Sequence, residues 1–464
     1  MSADSARGAW LITALAALSF VPGLFLYYVG EEGLYTIAAM AMQSGGDLLV
    51  PVVPGGNYGR PPLLIWAIVL AAKAVGWDNV LVASRLVTMA ATVLTALAAA
   101  WFAQALFAER RLAALAAMAY LTSLDILLYR GWLAYSDPAF GLLVFGAIAC
   151  AWIAAKRAAY ALLVAALLLL TCAFLTKAFT AYAFYGVAVL VLLARAEYRR
   201  FFLRVPSVLL HAVAAAFPFA WFAVVPGSSA QSVSMLDEVS RRFVAAFSAA
   251  YLGDVLAYPA LVLAYLSPPL ALALVHEWRS GFAATRSAPS DLRLAGWIAL
   301  ICVLPYWLTP HNHTRYLLPL YPLAAVACAW LACNSRAWLA QWMVRGALAA
   351  VVLKFVLVAG YFPWYQKHFR GENYYAAAKD IIAVTAGHAL YTTDASASGA
   401  AVVGHIDSLR FPAAPLPAPP AGFDSGYVIA YAPDEKLGQV FKRYELGANE
   451  LYLLCRGAAC AARH

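Results

Sequence analysis

Residues 8–35 read GAWLITALAALSFVPGLFLYYVGEEGLY, an apolar run of about twenty residues that stops on two adjacent carboxylates, Glu31 and Glu32. A helix rises about 1.5 Å per residue, so roughly 20 apolar residues cross the hydrocarbon core of a bilayer. This run is the first of many. Of 464 residues, 64% are hydrophobic and 12% charged, about half the charged share of an ordinary soluble domain. That is too little polar surface to dissolve a chain of this length, and the reading is a polytopic α-helical membrane protein. No small-residue cleavage pattern follows Phe20–Tyr28, so the first run is expected to stay as a helix rather than to leave as a signal.

Working outward, spans are expected at 8–28, 81–107, 112–128, 139–155, 158–174, 180–195, 205–225, 255–275, 294–309, 316–333 and 341–361, eleven in all. Loops rich in Arg and Lys stay cytoplasmic. Arg110–Arg111, Lys156–Arg157, Arg195–Arg204, Arg279–Arg293 and Arg336–Arg345 fall on one side, and their alternation puts the N-terminus in the cytoplasm. The opposite loops are 29–62, 129–138, 175–179, 226–253 and 310–315. Leu63–Gly76, fourteen apolar residues behind Pro61–Pro62, is too short to cross and reads as a re-entrant or juxtamembrane helix. The net charge of +9 is scattered between the spans. It forms no basic stripe, which argues against nucleic acid as a partner.

The composition shifts near Phe362. Residues 1–361 are expected to form the membrane domain, and 362–464 a small α/β domain outside the cytoplasm. In that tail Tyr374–Thr385 has helical spacing, His388–Thr393, Tyr427–Tyr431 and Leu451–Leu454 read as short strands, and Pro412–Pro420 is a linker or edge. Cys150, Cys172, Cys302, Cys328 and Cys333 lie in or beside spans and read as small apolar fillers. Cys455 and Cys460 are either a short-loop disulfide in an oxidising compartment or two free thiols.

Charges kept at a membrane face are costly to bury and so are functional candidates. Glu31 and Glu32, in Gly30-Glu31-Glu32-Gly33-Leu34-Tyr35, offer a general base for an acceptor hydroxyl, oxygen ligands for a divalent cation, or only a favourable helix start. The loop after them, through Gly45-Gly46-Asp47 and Gly55-Gly56-Asn57 to Arg60, is long and turn-rich, as functional loops often are. Asp137, in Tyr135-Ser136-Asp137-Pro138, is an acid at a span start, where capping is the plain explanation. Asp125 is an acid inside a span with Arg130 as its expected partner. Cations on the same side are Arg60, Lys177, Arg241, Arg242 and Arg315. Lys177 either snorkels to the interface or contacts phosphate. His311 and His313 have the spacing of a zinc pair but no evident further ligand. Acids and cations at one membrane face suit a lipid-phosphate sugar donor. Fixed Arg and Lys would stabilise the charge growing on the departing phosphate, and no Gly-rich nucleotide cradle occurs in the chain.

These motifs resemble the GT-C membrane glycosyltransferases, in particular the superfamily of protein O-mannosyltransferases and lipid A aminoarabinose transferases. Glu31-Glu32-Gly33-Leu34-Tyr35 is similar to its first-loop acidic motif, Tyr58-Gly59-Arg60-Pro61 to its Tyr-x-x-Lys/Arg-Pro element, and Asp137-Pro138 to its second-loop acid. Thr176-Lys177, Arg242-Phe243 and Arg315-Tyr316-Leu317-Leu318-Pro319 resemble later elements. The resemblance implies an inverting transfer from a polyprenyl-phosphate sugar to lipid A, another surface glycan or a protein, at the periplasmic face of a bacterial inner membrane. It implies a base in Glu31 or Glu32, with Asp137 orienting a substrate. Substrate contacts would come from Tyr35, Arg60, Lys177, Arg242, Arg315 and Tyr316. Two departures stand out: Glu31 replaces the usual Asp, and Val239 stands where the aminoarabinose transferases carry His, which weakens an inherited zinc site. The alternative reading is a transporter or flippase for a lipid-linked sugar. It is disfavoured by the lack of repeated halves.

Overall fold

The computed structural model describes residues 3–54, 56–226, 249–309, 313–335, 337–393, 397–447 and 449–461. The chain divides into two compact units, one of residues 1–21, 88–132 and 136–355, the other of 22–87, 133–135 and 356–464.

The first unit is helical. It contains α1 (Ala3–Leu18), most of α4 (Val80–Phe107), α5 (Arg110–Leu121), α6 (Ser136–Arg157), α7 (Tyr160–Lys177), α8 (Thr180–Leu192), α9 (Ala196–Phe202) and α10 (Val205–Val224). Beyond these come α11 (Ala249–Tyr265), α12 (Pro269–Arg279), α13 (Ala283–Arg286), α14 (Ser290–Trp307), α15 (Tyr321–Asn334) and α16 (Ala337–Val356). α6 is apolar on every side and buries Phe140, Val144, Phe145, Ile148 and Trp152; α10 leaves Val208, Leu209, Val213, Phe219 and Val224 exposed. A helix that is hydrophobic all round is either core or lipid-facing, and these two show both cases.

Every span expected from the sequence has a helix at its position. Among the described residues, seven helices are long and apolar enough to cross a membrane, and an eighth crossing exists if one bent pair counts as a span. The bend is 108°, between Tyr251–Tyr265 and Pro269–Arg279, where Pro268 and Pro269 interrupt the ladder. The carbonyl of Ser267, left there without a helical partner, accepts the Leu124 N–H at 2.9 Å. In lipid such a group has no water to turn to. The runs at 112–128, 180–195 and 294–309 correspond to α5, α8 and α14, which fall short of that test. Leu63–Val75 (α3) is a short apolar helix of 13 residues, as its length predicts. At the opposite end of the hairpins, Asp291 accepts from Lys156 Nζ at 2.8 Å, the Tyr198 hydroxyl at 2.7 Å and Arg195 Nη1 at 3.3 Å. Three loops assigned to one side by their charges therefore meet on one carboxylate.

The second unit joins the first loop to the tail. It holds α2 (Glu32–Gln43), the two-residue strands β1 (Val52–Val53) and β2 (Gly56–Asn57), α3, and the tail helices α17 (Phe362–His368), α18 (Glu372–Val384) and α19 (Ala397–Arg410). The tail sheet comprises β3 (Leu390–Thr392), β4 (Gly426–Ala430), β5 (Gln439–Leu446) and β6 (Asn449–Arg456) in the order β3-β4-β6-β5, with only β3–β4 parallel. Three of these strands and α18 sit where the sequence places them; β5 and α19 were not expected. Cys455 and Cys460 are disulfide-bonded, which decides between the two readings of that pair.

α19 packs directly on α2. A Cβ at Gly33 would lie 2.0 Å from the Ala400 carbonyl oxygen, so only glycine allows the crossing. His405 of α19 sits among the rings of Tyr27, Tyr28 and Tyr375 at 6.0, 4.6 and 5.1 Å. Burial, with the nearby Arg85 charge, pushes its pKa down to about 3, so it is a neutral packing group here. The Gln366 side chain pairs with the Tyr27 backbone in both directions, accepting its N–H at 2.9 Å and donating to its carbonyl at 3.1 Å. Overpacking so tight a crossing costs about 1–3 kcal/mol. Gly33→Val is therefore expected to lower the stability of the detergent-purified protein by an amount in that range, read as a lowered unfolding midpoint, whereas Gly8→Val, with open space around it, should not. Equal midpoints for the two variants would refute the close crossing.

Candidate active site

In the second unit the acidic pair is split by burial. Glu32, the first residue of α2, is 0% exposed, and Arg85, near the start of α4, is also 0% exposed. Glu32 Oε1 accepts from Arg85 Nε and the Ala134 N–H, each at 2.8 Å. Its Oε2 accepts from Arg85 Nη2 at 2.6 Å and the Val29 N–H at 2.8 Å. A carboxylate has about four acceptor positions, and all are filled. The rest of the guanidinium gathers the carbonyls of Gly23 (2.8 Å), Leu24 (3.3 Å), Leu26 (2.6 Å) and Tyr27 (2.9 Å). A 3-10 turn, Val21–Phe25, follows α1, and Arg85 takes up carbonyls within it and just beyond it.

Glu31 precedes α2 as its N-cap residue and is only partly buried. Its N–H donates to the Tyr135 hydroxyl at 3.4 Å. Tyr35, one turn on, faces the Tyr135 and Tyr58 rings at 6.2 and 5.8 Å, and its hydroxyl accepts from Arg60 Nη1 at 3.0 Å. The structure thus brings Glu31, Glu32, Tyr35 and Arg60 of the sequence reading together, with Tyr58 and Tyr135 added. The loop beyond is fixed by Trp66, whose indole N–H donates to the Leu48 carbonyl at 2.7 Å.

In the first unit, α6 and α7 form an antiparallel hairpin, reversed at Ala158, which takes a positive φ of 52°. The start of α6 and the end of α7 therefore lie at the same level. Asp137 is the second residue of α6 and Lys177 the last of α7, each with the sign that its helix end favours. They form an ion pair, 2% and 6% exposed. The Lys177 ammonium also lies 5.5 Å from the Phe140 ring and 5.4 Å from that of Tyr316. Arg315 reaches over Tyr316 at 5.4 Å, and Tyr316 stacks on Tyr306 at 5.6 Å, which stacks on Phe184 at 5.8 Å. Asp137, Lys177, Arg315 and Tyr316 are one cluster. Asp125 opens a π-helical turn, Asp125–Arg130, pairing with Arg130 at 3.0 Å and accepting the Tyr321 hydroxyl at 2.9 Å; the expected partner is the observed one.

Arg241, Arg242, Val239, His311 and Asn312 lie outside the described residues. Among the described residues no three or more His, Cys, Asp or Glu side chains gather as metal ligands, and Glu32 has no lone pair left to offer a divalent cation. Sequence reading missed Arg85, and also Lys354, whose fully buried ammonium sits 4.2 Å from the Trp132 ring. Each was legible as a charge inside an apolar run.

No protein-family model matches the chain. Its fold is that of solved membrane glycosyltransferases of the GT-C type. The apo structure of ArnT from Cupriavidus metallidurans superposes with a TM-score of 0.70 at 15% identity, over 97% of this chain and 98% of that one. The same protein bound to undecaprenyl phosphate gives 0.69 at 15% identity, with the same coverage. The archaeal oligosaccharyltransferase AglB from Archaeoglobus fulgidus, in complex with an inhibitory peptide and a dolichol-phosphate, gives 0.52 at 13%, over 91% of this chain and 69% of that one.

Removing one partner of a buried ion pair leaves an uncompensated charge and costs about 3–5 kcal/mol. Arg85→Met should therefore lose stability on that scale, while Glu31→Gln stays within about 0.5 kcal/mol of wild type, both read from thermal unfolding in detergent. Similar midpoints for Arg85→Met and wild type would remove the anchoring role.

Proposed function

We propose that the chain is an inverting glycosyltransferase of the bacterial inner membrane that moves a sugar from a polyprenyl-phosphate carrier to an acceptor hydroxyl on a lipid, glycan or protein. The observation that carries this reading is the fold, shared along nearly the whole chain with a protein solved bound to undecaprenyl phosphate. Residues 1–361 act as the membrane domain, with eleven crossings, a cytoplasmic N-terminus and periplasmic loops 29–62, 129–138 and 226–253. Residues 362–464 form a periplasmic domain.

In this mechanism Glu31 is the base. Saturation of Glu32 by Arg85 and two backbone N–H groups supports the choice, because it leaves that carboxylate no acceptor position for a proton. Glu31 takes the proton as the acceptor oxygen bonds to the anomeric carbon from the face opposite the phosphate. The anomeric carbon–oxygen bond to phosphate breaks, and polyprenyl phosphate leaves with one more negative charge. Lys177, Arg60, Arg242 and Arg315 stabilise that charge as it forms. Asp137 positions Lys177 through their ion pair, and Tyr35 and Tyr316 contact substrate.

A general base typically contributes 10²–10⁴-fold. In membranes given a panel of polyprenyl-phosphate sugars, Glu31→Gln is expected to lose at least about a hundredfold in turnover. Lys177→Ala and Asp137→Asn should also lose activity, with normal membrane insertion in all three. Full activity in all three variants would end this mechanism. For topology, a membrane-impermeant reductant added to intact spheroplasts should make Cys455 and Cys460 reactive to an impermeant maleimide. Labelling that requires lysis would place the tail on the other side.

A further inference from the structure

The seven residues of α9 divide between two faces. Tyr198, Phe201 and Phe202 are buried, while Arg199 and Arg200 are exposed, as are Leu203 and Arg204 just past the helix end. Side chains three or four residues apart share a helix face, so one face is aromatic and the other cationic. The aromatic face is fixed in place. The Tyr198 hydroxyl donates to Asp291 at 2.7 Å, the Phe201 ring lies 5.2 Å from that of Tyr160, and Ser207 Oγ donates to the Phe201 carbonyl at 2.8 Å. Ahead of the helix, Arg195 donates to Ser290 and Asp291 at 2.5 and 3.3 Å and pairs with Glu197 at 3.1 Å. The carboxylate that α9 itself exposes, Glu197, is thereby already matched. Arg199, Arg200 and Arg204 make no side-chain hydrogen bond or ion pair among the described residues.

The adjoining surface identifies what these guanidiniums meet. α10 begins directly after Arg204 and is long and apolar enough to cross a membrane, yet only 17% of it is buried. Its first turns leave Val205, Val208 and Leu209 70%, 49% and 61% exposed, beside Leu203 at 62%. So bare an apolar face belongs against lipid, and the three arginines stand where that face begins, at the depth of the headgroups. We propose that the outer face of α9 and the start of α10 form a binding surface for an anionic phospholipid. Arg199, Arg200 and Arg204 take the headgroup, and Leu203, Val205 and Leu209 take the first part of the acyl chains. The planar guanidinium matches phosphate oxygens two at a time, and its stem can lie along apolar surface. A zwitterionic lipid offers the same phosphate without net charge, so the surface selects the anionic one. A soluble polyanion would satisfy the arginines but leave the apolar residues uncovered. This surface is independent of the proposed transfer reaction.

Native mass spectrometry of the detergent-purified full chain, offered equal amounts of dioleoyl phosphatidylglycerol and dioleoyl phosphatidylcholine, reads the preference directly. Wild type is expected to retain phosphatidylglycerol over phosphatidylcholine by at least about tenfold. The triple variant Arg199→Gln/Arg200→Gln/Arg204→Gln should lose most of that preference. Arg110→Gln/Arg279→Gln/Arg286→Gln, which removes the same charge elsewhere in the first unit, should keep it, and so should Arg199→Lys/Arg200→Lys/Arg204→Lys. A wild type that holds both lipids alike would overturn the proposal. Equal losses in the two glutamine triples would do so too, by reducing the effect to bulk charge. Unchanged lipid retention in the α9 glutamine triple, with a shift of mass from dimer to monomer, would give the surface to a second copy of the chain instead.

Discussion

A guanidinium and a carboxylate, both without solvent exposure, are the costliest arrangement in the second unit and the one that organises it. Desolvating two ions costs several kcal/mol each, and only good geometry with every remaining donor and acceptor satisfied offsets that. Arg85 and Glu32 meet this condition by adding backbone groups on both sides: four carbonyls from residues 23–27 and two N–H groups from Val29 and Ala134. The pair therefore does more than hold two side chains. It fixes the path of the chain from Gly23 to the start of α2, where Glu31 stands. Two neighbouring residues of one chemical type are thus set apart by their surroundings: Glu32 is fully buried and spent on structure, while Glu31 stays partly exposed.

Much of this was legible in the sequence, because the strongest signals in a membrane protein are local. Apolar length placed a helix at every expected span, and the proline pair before Leu63 with only 13 helical residues after it marked α3 as too short to cross. Asp125 and Arg130 lie close together in one run, so their pairing could be anticipated. Asp137 and Lys177 were both singled out, but their meeting depends on the α6–α7 reversal at Ala158, which hydropathy does not specify. Arg85 was the harder case. A single cation barely changes the mean hydropathy of a long apolar run, and its partner is 53 residues away.

The tail resisted reading for other reasons. β5 carries Lys442, Arg443 and Glu445 and exposes most of its side chains at the sheet edge, so its apolar alternation is hidden by the charges that keep an edge from pairing with other chains. α19, with its Ala, Ser and Gly content, lacks the large apolar stripe that announces a helix. Its small residues make sense only against α2, where backbone approaches backbone. Ala400, Ala401 and Val402 are buried to 1% or less, so the helix owes its stability to packing rather than to intrinsic propensity.

That approach at Gly33 ties two stretches of chain far apart in sequence into one hereditary block. The segment carrying the acidic pair and the C-terminal module cannot be exchanged one without the other between chains of this fold, since a foreign partner would need the same bare backbone at the same spot. Chimeras that graft only the C-terminal module should therefore misfold at the first loop, and natural drift in the module should leave its imprint on the surface of α2.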